Sequence, residues 1–207
     1  MSTNASTLGE HIHRDDIGSR MGMWLFLFTE LLLFGGMFLL YSVYKFQYPD
    51  EFFLAANELN TIMGAFNTAV LLTSSLTMAL SIVAIQRDQR VLSVLLQMVT
   101  IFLALFFLVN KYFEWSAKFS HGIYPGSEEL LSKSSGEILF FGLYYVMTGL
   151  HGIHVLVGIF LIAVMTRMTR MGRITHNNYV RLENTGLYWH LVDIIWIFLF
   201  PLFYLIK

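Results

Sequence analysis

The 207 residues are 56% hydrophobic and 13% charged, about half the charge density of an ordinary soluble domain, so a water-soluble surface cannot be built from them. A net charge of -1 leaves no nucleic-acid footprint, and the absence of cysteine removes disulfides, thiolate metal sites, Cys-x-x-Cys-His haem attachment and thiol catalysis together. Chemistry in this chain then rests on His, carboxylates and amides.

Residues 1–20 hold Glu10, Asp15 and Asp16 and no apolar run, so they read as a cytoplasmic N-terminal segment and not as a secretory signal or transit peptide. The mature chain is expected to begin near Met1. A hydrocarbon core of ~30 Å needs about 20 apolar residues at 1.5 Å each. Five runs qualify: Met21 to Tyr44 with only Glu30 charged, Leu59 to Gln86, Val91 to Asn110, Ile138 to Thr166, and Asn184 to Ile206 with only Asp193. Backbone groups in lipid must pair within their own segment, and runs this long without period-two alternation are helices. The expectation is an all-α polytopic membrane protein, a bundle of five transmembrane helices at about 21–45, 59–86, 91–115, 137–167 and 181–206 within one domain, 21–207. The connections read as a loop over Lys45 to Glu58, a tight turn at Arg87 to Arg90, a long polar loop over Lys111 to Glu137, and a basic one over Arg167 to Glu183.

Charge orients the bundle. Arg14, Arg20, Arg87, Arg90, Arg167, Arg170, Arg173 and Arg181 fall on one side. Lys45, Lys111, Lys118, Lys133 and Lys207 fall on the other, among Asp50, Glu51, Glu58, Glu114, Glu128, Glu129 and Glu137. The positive-inside rule places the N-terminus in the cytoplasm and the C-terminus outside.

Polar residues at membrane depth require an explanation, because a charge there costs ~2.5–3.5 kcal/mol on the mildest scale. Counted along the helices, Glu30 lies about 14 Å in, His190 about 15 Å, His154 about 18 Å, Asp193 about 20 Å and His151 about 23 Å. His190 and Asp193 share a helix face with Glu183, His151 and His154 are stacked, and Asn60, Asn67 and Ser74 recur every seven residues as a polar seam. These residues fit interhelical hydrogen bonding, a bound haem or metal, or a proton relay through Glu30. Two histidines spaced i,i+3 on one helix cannot ligate one iron from opposite faces, which counts against haem. Trp24, Tyr44, Trp115, Tyr124, Tyr188 and Tyr204 fall toward segment ends, as interfacial belts do, and Gly35, Gly36, Gly149, Gly152 and Gly158 read as helix-packing faces.

The last helix, Tyr188-Trp189-His190-Leu191-Val192-Asp193-Ile194-Ile195-Trp196-Ile197-Phe198-Leu199-Phe200, resembles the signature of subunit III of haem-copper cytochrome oxidases. The fourth, Thr148-Gly149-Leu150-His151-Gly152-Ile153-His154-Val155-Leu156-Val157-Gly158, resembles that family's second signature. Glu30 in Trp24-Leu25-Phe26-Leu27-Phe28-Thr29-Glu30 resembles its membrane carboxylate. Leu59-Asn60-Thr61 with Ser74-Ser75, and Tyr112-Phe113-Glu114-Trp115, are weaker matches. The resemblance implies a non-catalytic subunit with no cofactor of its own, packed on subunit I, in contact with subunit II and a small subunit IV, and binding phospholipid. Haems and copper would reside in subunits I and II. It implies support of proton uptake and complex stability during reduction of dioxygen, driven by cytochrome c or quinol, with cytochrome c favoured. Glu30, Asn60, Asn67, His151, His154, Glu183, His190 and Asp193 would form an internal polar network and no active site. Five helices match the short bacterial form, which also occurs in quinol oxidases and in relatives associated with nitric oxide reductase, whereas the longest members have seven; the resemblance thus implies a bacterial inner membrane, with the C-terminus on the periplasmic side. Glu137 departs from the small polar residue usual at that place. The competing reading is a free-standing proton transporter using Glu30, His154, His190 and Asp193, although it would usually show inverted repeats or broken helices.

Overall fold

A computed structural model describes residues 16 to 206. Residues 1–15, and with them Arg14, as well as Lys207, lie outside the described residues. Five helices are long and apolar enough to cross a membrane: α1 (Asp16–Gln47), α3 (Thr61–Gln86), α4 (Arg90–Ser120), α6 (Ser135–Arg170) and α7 (Val180–Tyr204). Two short helices, α2 (Pro49–Asn57) and α5 (Glu128–Leu131), lie between them, and the described residues include no strand.

α1, α4 and α6 overrun their apolar runs at both ends. A hydropathy run measures the thickness of hydrocarbon, whereas a helix continues until its backbone is capped or broken. α1 already includes Asp16, the first described residue, within the segment expected to be 1–20, and α4 continues ten residues past Asn110 to Ser120. The stretch Lys45 to Glu58 is not a plain loop. Pro49 presets φ at the first position of α2, Asp50 and Glu51 face its positive end, and Phe52, Ala55 and Ala56 are buried. α6 opens on a capping box in which Ser134 accepts from the Glu137 amide and the Glu137 carboxylate accepts from the Ser134 amide. That accounts for an acid where a small polar residue is usual. Between α3 and α4 the chain reverses over three residues, with Asp88 in the left-handed region at φ 58°.

α7 is the most enclosed spanning helix and packs on α1, α3 and α6. α4 completes the bundle by joining α3 to α6. α1 packs on α6 and α7, no Cα of α1 comes within 8 Å of one in α3, and α1 buries only Leu27, Phe34 and Tyr41. At the lysine-rich end, Tyr41, Phe52, Phe140, Tyr144 and Phe203 meet edge to face with centroids 5.1 to 5.5 Å apart. That geometry suits the ring quadrupole and ties α2 to α1, α6 and α7. α3 and α4 join through a buried seam of small polar residues, Thr77 and Thr100 being 2.8 Å apart. Gly158 lies so close to Trp189 that an added Cβ would sit 2.7 Å from its ring, and Gly149 abuts Trp115. Gly35, Gly36 and Gly152 have open space instead, so they do not mark packing faces within this chain.

Candidate functional site

Glu30 projects from α1 toward α6, where His154 Nε2 lies 2.9 Å from its Oε2. His154 Nδ1 is 2.8 Å from the Leu150 carbonyl, which can only accept, so Nδ1 carries a proton. Nε2 then either accepts from a protonated Glu30 or, as imidazolium, donates to the carboxylate. The pair shares one proton in both forms. Tyr188 donates to the His154 carbonyl at 3.0 Å, and Phe34 packs edge-on against the ring at 5.3 Å.

A second polar face joins α7 to α3. His190 Nδ1 is 2.6 Å from the Ser75 hydroxyl, Trp189 Nε1 donates to Ser74 at 3.1 Å, and Trp196 Nε1 donates to Thr68 at 3.0 Å. Asp193 is buried beside the same Ser75, and neither of its oxygens accepts a hydrogen bond of normal geometry. His151 is enclosed, with both ring nitrogens free of hydrogen bonds, and lies tilted by 30° against Trp196 at 5.2 Å and edge-on to Phe107 at 5.7 Å. Asn67 accepts from Asn110 of α4 at 2.9 Å.

Two residues expected in the internal network lie elsewhere. Asn60 is exposed and caps α3, its side chain accepting from the amides of Ile62 at 3.0 Å and Met63 at 3.2 Å, so the seven-residue seam starts at Asn67. A helix N-terminus has unpaired amides, and the asparagine oxygen meets two of them. Glu183 pairs with Arg20 at 2.8 Å at the arginine-rich end, where Asn184 also reaches Ser19 at 3.0 Å, so it clips α7 to α1 at the bundle's edge. Tyr188 and Tyr204 are likewise buried and bonded within the protein and belong to no interfacial belt.

A cluster centred on Lys111 and Glu114, where the expected third helix (91–115) overlaps the polar stretch from Lys111 to Glu137, sits inside the bundle. Lys111 Nζ lies 3.1 Å from Glu114 Oε2, 3.1 Å from the Tyr144 hydroxyl and 2.8 Å from the Tyr204 hydroxyl. Both tyrosines donate to Glu114 Oε1, at 2.7 and 2.6 Å. Every strong polar atom of the group is satisfied, and α4, α6 and α7 are joined by it. The spacing 111, 114, 118 on one helix face, uninterrupted by Gly or Pro before Gly122, is the signal that would have found it. Farther out, Lys118 Nζ donates to the Glu58 carbonyl at 3.3 Å, and Lys133 binds the carboxylates of Glu58 and Glu137. Partial burial opposes the charge on Lys133, but the hydrogen bonds and charges of these two acids outweigh it and raise its pKa above the ordinary 10.5. A groove of about 530 Å³ opens beside this array, between Glu58, Asn60, Glu114, Lys118 and His121.

The three deep histidines thus point to different neighbours: His154 to Glu30, His190 to Ser75, His151 to Trp196. They do not converge on one point, and among the described residues no group of three or more His, Cys, Asp or Glu is placed to hold a metal ion. The family model described as cytochrome c oxidase subunit III matches residues 1–207. The chain belongs to the cytochrome c oxidase subunit III family. It is subunit III of a haem-copper oxidase, and similar proteins are named for both cytochrome c and quinol oxidases. It is 30% identical to cytochrome c oxidase subunit 3 of Thermostichus vulcanus, over 95% of this chain and 92% of that one. It is 27% identical to a probable quinol oxidase subunit 3 of Staphylococcus saprophyticus, over 100% of this chain and 97% of the other. A haem-copper oxidase subunit I+III of Aeropyrum pernix is 29% identical over 90% of this chain, which spans only 22% of that longer protein. With its five spanning helices, this subunit III family member is an integral membrane protein.

Proposed function

We propose that the chain is the accessory subunit III of a terminal oxidase in the aerobic respiratory chain, with cytochrome c the favoured donor. It packs on subunit I, adjoins subunit II and a small subunit IV, binds membrane phospholipid and sustains proton uptake and stability while its partners, holding haems and copper, reduce dioxygen to water. The observation that carries this reading is the family match over the whole chain, together with Glu30–His154 and His190–Ser75 pairings that stay separate inside the bundle. The relative named subunit I+III supports contact with subunit I. Glu30, Asn67, His151, His154, His190 and Asp193 are supporting groups in this reading, with Asn60 and Glu183 securing helix ends. The transporter reading has less support, since among the described residues no hydrogen bond joins the Glu30–His154 pair to His190 or Asp193.

Affinity purification through a C-terminal tag in mild detergent tests the proposal. The chain should carry with it a haem-containing subunit I and oxygen-reducing activity, and after separation it should show no haem absorbance band. A chain that purifies alone and moves protons when reconstituted in vesicles would replace the oxidase reading with the transporter one.

A further inference from the structure

The helices surround α7 incompletely. α1, α6, α4 and α3 follow one another by close backbone approach, but no Cα of α1 comes within 8 Å of one in α3, and the face of α7 between them is exposed. That face presents Ile194 at 47% exposure, Ile197 at 41% and Phe198 at 56%. His190 belongs to the same strip, one turn before Ile194, and is itself only partly buried. It is the eleventh residue of a 25-residue helix, which places it about 15 Å from the end and near mid-membrane. Ser75 engages Nδ1. The second ring nitrogen, Nε2, has no hydrogen bond among the described residues and is not enclosed by the bundle. An imidazole nitrogen left in hydrocarbon without a partner costs free energy, and ionisable groups in spanning helices are ordinarily turned inward or paired. Acyl chains can cover Ile194, Ile197 and Phe198 but offer nothing to Nε2.

We propose that the gap between α1 and α3 is filled by a transmembrane helix of another subunit of the complex, apolar along its length and carrying at mid-depth one uncharged hydrogen-bonding side chain that meets His190 Nε2. The inference rests on the oxidase-subunit reading and adds to it a docking face and the chemistry of its occupant. His190 is the specificity point: Ser75 fixes the ring from one side, and the partner's side chain reads the other. Complementary polarity at one depth sets the register of the two helices, as an interhelical hydrogen bond does in lipid.

The test uses the intact complex. A photoreactive benzoylphenylalanine is placed at Ile194, and in a control at Phe102 of α4, which is 67% exposed on another face. Irradiation of the purified oxidase should join residue 194 to a membrane-spanning peptide of a second subunit, identified by mass spectrometry. In a second arm, His190→Leu should increase loss of the chain from the detergent-solubilised complex by about tenfold, the effect of one such hydrogen bond, and His190→Gln should recover most of it. Adducts at 194 to lipid alone, in a complex that still contains the chain, would overturn the docked helix and leave the oxidase reading standing. Equal retention of the Leu and Gln variants would remove His190 as the contact. Failure of the unmodified chain to purify with an oxidase would instead defeat the oxidase reading itself.

Discussion

Glu30 and His154 hold one proton between them, and the Leu150 carbonyl fixes which imidazole nitrogen faces the acid. Glu30→Gln keeps the length and a hydrogen bond to Nε2 while removing the exchangeable acid proton. We expect a complex that assembles and starts to consume oxygen close to the wild-type rate, with the loss appearing in proton uptake or in lifetime during turnover. Oxygen-electrode traces followed to inactivation check this, and a fully assembled variant with no initial activity would make Glu30 an essential donor. Lys111 and Glu114 behave differently, because each is buried against the other and two tyrosines. Glu114→Gln leaves an ammonium unpaired in the bundle and should destabilise by about 3–5 kcal/mol. Adding Lys111→Met removes that stranded charge and should restore much of the loss. A thermal-denaturation double-mutant cycle measures the difference, and additive effects would show that the pair is not coupled.

Five spanning helices were legible as elements because each needs about twenty apolar residues in a row, and few other structures do. Their ends were not. The charges of Lys111, Glu114 and Lys118 end the apolar run and read as a polar stretch, with the helix expected to stop near 115, yet α4 continues to Ser120 because buried partners on α6, α7 and the chain just after α2 satisfy them. α2 hid behind Pro49 and two acids, which are also turn signals, and only the packing of Phe52 makes them a helix start. The deep positions of Glu30, His154 and His190 could be counted from sequence, but which residue each would meet depends on helix rotation, and a single chain carries no direct record of that. Gly158 shows the same limit: its role follows from the Trp189 ring pressed against it. Gly158→Ala should cost about 1–3 kcal/mol by forcing α6 from α7, whereas Gly152→Ala, with open space around it, should be nearly neutral. Comparing the release temperatures of the two variants from the complex tests the contact.

Over the whole molecule, charge divides the two ends. Arg87, Arg90, Arg167, Arg170, Arg173 and Arg181 lie in or beside the connections at one end, and Lys45, Lys118 and Lys133 at the other. We expect the arginine end in the cytoplasm. Alkaline phosphatase fused at the C-terminus should then be active, and fused after Arg173 inactive; the reverse pattern would invert the protein. The central place of α7 has a consequence for biosynthesis. α7 leaves the ribosome after α1 to α6, so those helices enter the membrane before Thr68, Ser74 and Ser75 of α3 have Trp196, Trp189 and His190 to bond with, and before Tyr144 and Lys111 have Tyr204. During that interval the polar interior of the bundle is open to lipid and to quality-control proteases. Arrest of synthesis at Arg173 should therefore give a membrane-inserted but rapidly degraded chain rather than a stable four-helix one.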